Sequence, residues 1–300
     1  MTAGVPRVAV LMTCFNRKAL TLACLETLSG QEFFRQCDLF LVDDGSSDGT
    51  GEAVHAAMPA AHVVRGDGSL FWNHGMRLAW DSAKASGVAY DYYLWLNDDV
   101  ALAPGTLRML VEDAESVVPR GGPVIVSAAV SDPVSGKVVY GAQRRPDPAR
   151  PLRLMLLAPE GRPIPAVTVS GNVVLVSNAA EIRLGNIEPV YEHIYGDLDY
   201  GLRASAAGIP VLLASRSGGT CGENTVTGSS LDQSLGRMAR LGLRWKEDKK
   251  LHARDWRRFV RLHGGGGIAP LWHRVSPYLR ILAGRPNTYG TTIVNQEAPQ

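Results

Sequence analysis

The sequence predicts an α/β protein built on a mixed, mostly parallel sheet, and three observations carry that prediction. Short apolar runs alternate with stretches of helical periodicity through the first hundred residues. Repeated strand–helix units of this kind build a parallel sheet with helices on both faces. Acidic and polar residues stand directly after several of the apolar runs, at the strand ends where such sheets bind ligands.

The elements follow in order. Residues 8–12 form a short apolar run and predict a buried strand. Leu20, Ala23, Cys24, Thr27 and Leu28 repeat at helical spacing over 17–28. A second strand covers 39–42 and ends at Asp43, and Ser47 and Asp48 suit the N-cap of a helix reaching about Met58. Residues 62–64 predict a third strand, 73–85 a helix and 92–96 a fourth strand ending at Asn97. Pro104 suits a first helical turn, and Leu107, Leu110, Val111 and Ala114 continue that helix.

The middle of the chain changes character. Residues 124–130 and 137–140 read as strands around a Pro-Val-Ser-Gly turn. Residues 141–166, rich in Pro and Arg, predict a long excursion or mobile loop. A strand over 167–177, short helices over 178–184 and 197–207, and a strand over 211–214 precede a Gly-rich loop at 215–230. Residues 231–263 read as basic and helical, 264–267 as a hinge, and 271–282 as a second amphipathic segment. The expected organisation is a catalytic domain over 1–230, divided near 120, a basic helical extension over 231–285, and a loose tail over 286–300.

Composition narrows the class. A chain of 300 residues that is 45% hydrophobic holds a core for one large domain or two small ones. No apolar run approaches the ~20 residues needed to span a bilayer. The N-terminus has no long apolar segment behind Arg7, and the four cysteines form no CxxC pair, so a reduced, cytoplasmic setting is expected. The net charge of +2 hides an asymmetry. Residues 236–285 carry 13 Lys and Arg against 3 Asp and Glu, whereas residues 1–235 carry 18 against 25. A basic segment on an acidic body points to an anionic surface rather than to nucleic acid, for which no recognised module is present.

Three clusters carry the chemistry: Thr13-Cys14-Phe15-Asn16-Arg17, Asp43-Asp44-Gly45-Ser46, and Asn97-Asp98-Asp99. Gathering four carboxylates in one crevice is unfavourable because like charges repel. A divalent cation or donors from a ligand relieve that repulsion, and Mg²⁺ or Mn²⁺ prefers hard oxygen ligands completed by phosphates. Each cluster also suits ordinary turn and cap chemistry. Gly66 to Gly75 offers close backbone approach and a helix N-terminus that suits a phosphate, with Trp72 either on a sugar face or in the core.

The stretches VAVLMTCFN (8–16), LVDDGSSDGT (41–50), LWLNDDV (94–100) and GDLDYGLR (196–203) together resemble the family 2 glycosyltransferases of the GT-A fold, over about residues 6–225. The resemblance implies a Rossmann-like nucleotide-sugar domain and an inverting, metal-dependent transfer from a UDP- or TDP-sugar. The acceptor would be a hydroxyl of a glycan or a lipid-linked glycan. It implies that Thr13, Phe15 and Asn16 line the nucleobase pocket, that Asp44 accepts from the base imide, and that Asp98 lies near the ribose. Asp99 would be the main ligand of Mg²⁺ or Mn²⁺. Gly68, Trp72 and Asn73 would touch donor sugar or diphosphate. One acid of the 196–199 motif would be the general base. Gly196 stands where the family often has Glu, so the role passes to Asp197, although Asp197 and Asp199 also suit a helix N-terminus. A late metal-binding His is missing from 213–224; Cys221, Glu223, Asn224, water or diphosphate would take its place, and Arg216 suits the leaving diphosphate. Two alternatives stand beside this reading: a nucleotide-sugar-binding protein without turnover, and a sugar-phosphate nucleotidyltransferase. The latter is disfavoured because 13–17 lacks glycine. In 236–285, basic side chains alternate with Leu241, Trp245, Trp256, Phe259 and Leu262, which suits peripheral contact with the inner face of a membrane, packing on the body, or a homodimer.

Overall fold

The computed structural model describes residues 4–222, 227–246 and 253–285. The first half is β1 (Val8–Cys14), α1 (Lys18–Ser29), β2 (Cys37–Asp43), α2 (Thr50–Ala57), β3 (His62–Arg65), α3 (Phe71–Ala85) and β4 (Tyr92–Leu96). These four strands are parallel, in the spatial order β3-β2-β1-β4. Val8, Val10 and Met12 of β1 pack on one face with Leu25 and Leu28 of α1, whereas Ala9 and Leu11 meet Met76 and Trp80 of α3 on the other. Burial on both faces is why the strand sequences show no polar alternation. The N-cap of α2 is Gly49 rather than the expected Ser47 or Asp48; Asp48, just before it, ties two helix starts, its carboxylate accepting from the Thr50 amide at 3.0 Å and from the Lys18 amide at 3.1 Å.

The second half adds β5 (Ala101–Leu102), α4 (Thr106–Val117), β6 (Ile125–Ser131), β7 (Val138–Tyr140), β8 (Ala142–Arg144), β9 (Met155–Leu156), β10 (Ile164–Ala166), β11 (Thr168–Val169) and β12 (Val173–Ser177). It continues with α5 (Asn178–Leu184), α6 (Gly196–Ala206) and β13 (Val211–Thr220). Strand β12 lies antiparallel between β4 and β6, and β13 runs parallel to β6, which makes the sheet mixed.

Two expectations are corrected here. Residues 141–166 are no free excursion: β8 pairs with β9 and β11 in a small second sheet, and β10 closes the edge of the main sheet beside β13. The Gly-rich stretch expected as a loop over 215–230 begins as strand, with β13 reaching Thr220. Its glycines are needed for close approach: a Cβ at Gly219 would lie 2.3 Å from the Ala101 carbonyl oxygen, and one at Gly218 would lie 2.4 Å from Ala128 Cβ.

Three helices complete the described chain: α7 (Arg237–Trp245), α8 (Ala253–His263) and α9 (Ala269–Leu282). The apolar stripe of α8 is not a surface feature. Trp256, Phe259 and Val260 are buried against Tyr191, Tyr195, Leu202 and Leu152. A polar lock stands beside them. His263 Nε2 lies 2.8 Å from Asp199 Oδ1, which also accepts from the Tyr191 hydroxyl, while Arg203 Nε donates to Asp199 Oδ2 at 2.8 Å. Lys249, Lys250 and Leu251, and the tail expected over 286–300, lie outside the described residues.

Burial raises the Asp199 carboxyl, but the hydrogen bonds from His263 and Arg203 outweigh it and hold the group below its ordinary value. The stability it contributes is complete above about pH 4, the unfolded carboxylate's value, and is lost as pH falls through the lowered folded value. Asp199→Asn leaves the half-buried Arg203 guanidinium without its anion, a change costing at most about 3–5 kcal/mol. We expect a lower melting temperature at neutral pH, a gap from the parent that narrows below about pH 4, and faster amide exchange in α8. An unchanged melt would assign the docking of α8 to its apolar contacts alone.

Candidate active site

The sheet order reverses between β1 and β4, and the crevice at their carboxyl ends is where open α/β sheets receive ligands. Asp43, Asp44, Asp98 and Asp99 all lie at this edge, and each has been given a partner. Asp43 Oδ1 accepts from the Ser46 amide at 2.9 Å. Asp44 is buried and holds the loop before α3: Oδ1 accepts from the Gly68 amide at 2.9 Å, and Oδ2 from the Leu70 and Phe71 amides at 3.0 and 3.1 Å. A carboxylate offers roughly four acceptor sites, so three amides leave one for a ligand N–H. Gly68 has φ +89 and approaches Asp44 through its backbone; it shapes the loop and presents no side chain.

Asn16 joins the first two clusters. Its amide donates to Ser46 Oγ at 2.9 Å, and its side-chain oxygen accepts from the Ser47 amide at 2.8 Å. This tie puts Asn16 in a left-handed conformation, φ +50, and leaves the neighbouring Phe15 ring 49% exposed at the rim. Thr13 faces α3, where Gly75 has no side chain to exclude its hydroxyl.

Arg17 spans the switch point. Its Nη1 lies 3.2 Å from Asp98 Oδ1 and 2.8 Å from Asp99 Oδ2, acting as an internal counter-cation. Burial pushes the Asp98 carboxyl up to about 6, and Arg17 opposes that shift. Asp99 Oδ1 is buried without a nitrogen or oxygen donor among the described residues. The Cys221 thiol lies against the same carboxylate; burial first, then the Asp99 charge, pushes that thiol up to about 12. An unpartnered hard oxygen beside a second carboxylate fits a Mg²⁺ or Mn²⁺ that takes its other ligands from water and phosphate. No cluster of three or more His, Cys, Asp or Glu able to hold a metal is present among the described residues. Of the replacements considered for the late His, Cys221 stands at Asp99, whereas Glu223 and Asn224 lie outside the described residues.

A chain of contacts leads from these acids to Asp197. The Trp72 indole N–H donates to Asn97 Oδ1 at 2.7 Å, beside Asp98. The Trp72 ring covers Gly171, where a Cβ would lie 2.3 Å from it. The Gly171 amide donates to Asp197 Oδ2 at 2.8 Å, and the Leu198 amide to Oδ1 at 2.8 Å. Burial raises the Asp197 carboxyl, against these two amides. Asp197 is nonetheless partly open to solvent, whereas Asp199 has no exposure and three partners. Trp72 is half-buried and edge-on to Trp95, so it is both a packing residue and part of the cleft wall.

Asn73 is a correction. It is fully buried and donates to the Glu188 and Tyr191 carbonyl oxygens at 2.9 and 2.8 Å, which commits its side-chain nitrogen within the protein. Its side chain also explains Gly196: a Cβ there would lie 1.7 Å from Asn73 Oδ1. The space that a residue-196 side chain would need is filled from α3. Arg216 is exposed on β13, five residues before Cys221. Sequence reasoning placed Arg17 and Asn97 in the acidic and polar clusters but gave neither, nor Gly171, a role of its own. A cation directly after the first strand, facing acids after the fourth, was the available signal for Arg17. The contacts of Asn97 and Gly171 exist only in the fold.

Backbone strain gathers at the same edge. The three non-glycine residues with positive φ among those described are Asn16, Phe71 and Tyr195, which open or precede α1, α3 and α6. Such conformations persist where the surroundings enforce them, often at functional sites. The family model for glycosyl transferase family 2 matches residues 9–128, which hold all four edge carboxylates. No curated protein sequence matches the chain. Among solved structures, the mannosyltransferase PcManGT from Pyrobaculum calidifontis, in complex with GDP-Man and Mn2+, is similar with a TM-score of 0.53 at 14% identity. The likeness covers 94% of this chain and 74% of that one, and it is a likeness of fold. Residues 9–128 are thus similar to glycosyl transferase family 2, and the fold of the chain is GT-A.

Proposed function

We propose that this glycosyltransferase moves a sugar, with inversion, from a UDP- or TDP-sugar to a hydroxyl of a glycan or lipid-linked acceptor. One observation carries the reading: Asp197, with a raised pKa and access to solvent, is joined through Gly171, Trp72 and Asn97 to the Asp98–Asp99 pair. A proton acceptor and an anion-rich donor site thus share one cleft. The GDP-Man and Mn2+ of the PcManGT complex support a nucleotide-sugar donor and a divalent cation here as well.

In this reading Phe15 stacks on the base, the remaining acceptor site of Asp44 takes an imide N–H, and Asp98 faces the ribose. Asp99, with the diphosphate, would hold Mg²⁺ or Mn²⁺, which supplies charge neutralisation to the departing diphosphate. Arg17 keeps the two carboxylates together before the donor arrives, and Arg216 suits the diphosphate as a fixed charge. Asp197 accepts the proton of the acceptor hydroxyl as its oxygen bonds to the anomeric carbon. The anomeric carbon–phosphate oxygen bond breaks on the opposite face, and the nucleoside diphosphate leaves. Burial raises the Asp197 pKa toward the range useful for a general base near neutral pH.

The test is release of free UDP or TDP, with and without acceptor, across a Mg²⁺ and Mn²⁺ titration. Asp197→Asn is expected to retain donor affinity and lose about 10²–10⁴ in transfer rate. In the parent, the acid limb of kcat/KM should lie above the ordinary carboxylate range; normal turnover by the variant would reject Asp197 as base. Asp99→Asn keeps the shape and removes the charge, so donor-dependent thermal stabilisation should cease to respond to Mg²⁺. An unchanged Mg²⁺ response would reject Asp99 as a cation ligand.

A further inference from the structure

Of the alternatives open for the C-terminal segment, α8 takes packing on the body, while a different apolar face stays exposed. The stripe of α8 is consumed by the catalytic domain. On α9, by contrast, Ile268 just before the helix and then Leu271, Trp272, Val275, Leu279 and Leu282 are all exposed, Trp272 by 54%. Their spacing of three and four residues places them on one side of the helix. The opposite side, with His273, Ser276, Pro277 and Ile281, is buried. Helix α7 is similarly inverted relative to a helix facing water. Arg240 and Arg244 point inward, the first donating to the Ser230 carbonyl oxygen at 3.0 Å and the second lying over the Trp256 ring. Met238 and Trp245 are left 77% and 80% exposed.

We propose that the exposed stripe of α9, with Met238 and Trp245 of α7, docks on the surface of an anionic lipid bilayer. A row of exposed large apolar side chains along one helix face marks an interaction site. The charge around this one selects the occupant. Residues 236–285 carry 13 basic side chains against 3 acidic ones, and Arg257, Arg258, Arg261 and Arg274 are exposed on the same helical unit. Anionic headgroups complement that charge, and tryptophan at the edge of an apolar face suits the headgroup boundary. A second copy would bring the same basic segment against itself, and like charges disfavour that pairing. No described helix is long and apolar enough to cross a membrane, so the contact is one of lying on the surface. This inference is independent of the reaction proposed above.

The full chain should co-sediment with phosphatidylglycerol-containing vesicles, far more weakly with pure phosphatidylcholine, and less at about 1 M salt, where the Debye length is ~3 Å. Replacing Leu271, Trp272 and Val275 together by Ser should weaken partitioning about tenfold or more. These side chains are exposed, so the melting temperature should hold. As a check that leaves packing untouched, brominated lipids should quench the parent's tryptophan emission, and Trp272→Phe should lose part of that quenching. Absent sedimentation on both vesicle types, equal sedimentation on both, or full binding by the triple variant would overturn the proposal. So would a dimer seen by light scattering that the triple variant abolishes, since the stripe would then belong to a second copy.

Discussion

Four carboxylates gathered at one edge of a sheet are the constraint on which this structure is organised. Each must be matched, because an unpaired buried charge is among the least favourable features a fold can contain. The chain meets the demand locally for Asp43 and Asp44, with amides of the turns that follow β2 and precede α3. For Asp98 and Asp99 it reaches across the switch point with Arg17. The matching is incomplete at Asp99 Oδ1, which has no nitrogen or oxygen donor among the described residues. The loop holding Asp44 also starts α3, and Trp72 at that start joins the acidic edge to Gly171 and Asp197. The proposed donor side and the candidate base are therefore joined by one continuous set of contacts rather than by separate modules.

The second acidic motif divides its labour in a way that two carboxylates two residues apart do not reveal in sequence. Asp199 is enclosed by His263, Arg203 and Tyr191 and ion-paired with Arg203, which makes it the anchor of the C-terminal helices. Asp197 keeps solvent access and an upward-shifted pKa. The C-terminal extension thus bears on the site through α6: the helix that carries the candidate base also carries the residue that locks α8 in place.

Much of this architecture was readable before any coordinates. The first four strands and the helices between them were legible because burial on both faces leaves uninterrupted apolar runs, and the acid of Asp48 marked the start of α2 although Gly49 is its N-cap. Residues 141–166 were not legible, since strands of two and three residues such as β9 and β8 take their pairing from partners distant in sequence. Glycines 218 and 219 resembled a loop because a strand squeezed between Ala101 and Ala128 cannot carry side chains there. At the site, acids and aromatics were legible by type and position after strands. Asn73 was misplaced because a polar residue at a helix start resembles a ligand, and only packing against Gly196 and the 188–191 segment reveals its buried role. The amphipathic periodicity of α8 and α9 is alike in sequence; which stripe is covered depends on Asp199 and Tyr195 lying opposite α8.

If the acidic edge is a site completed by a cation and a diphosphate, thermal melting of the full chain with UDP-, TDP-, GDP- and CMP-sugars, each with and without Mn²⁺, reads that completion directly. A UDP- or TDP-sugar at a hundred times its Kd should stabilise the chain by about 2.7 kcal/mol, and the stabilisation should depend on Mn²⁺. No shift with any nucleotide sugar, in the presence or absence of Mn²⁺, would contradict a donor site at Asp98 and Asp99.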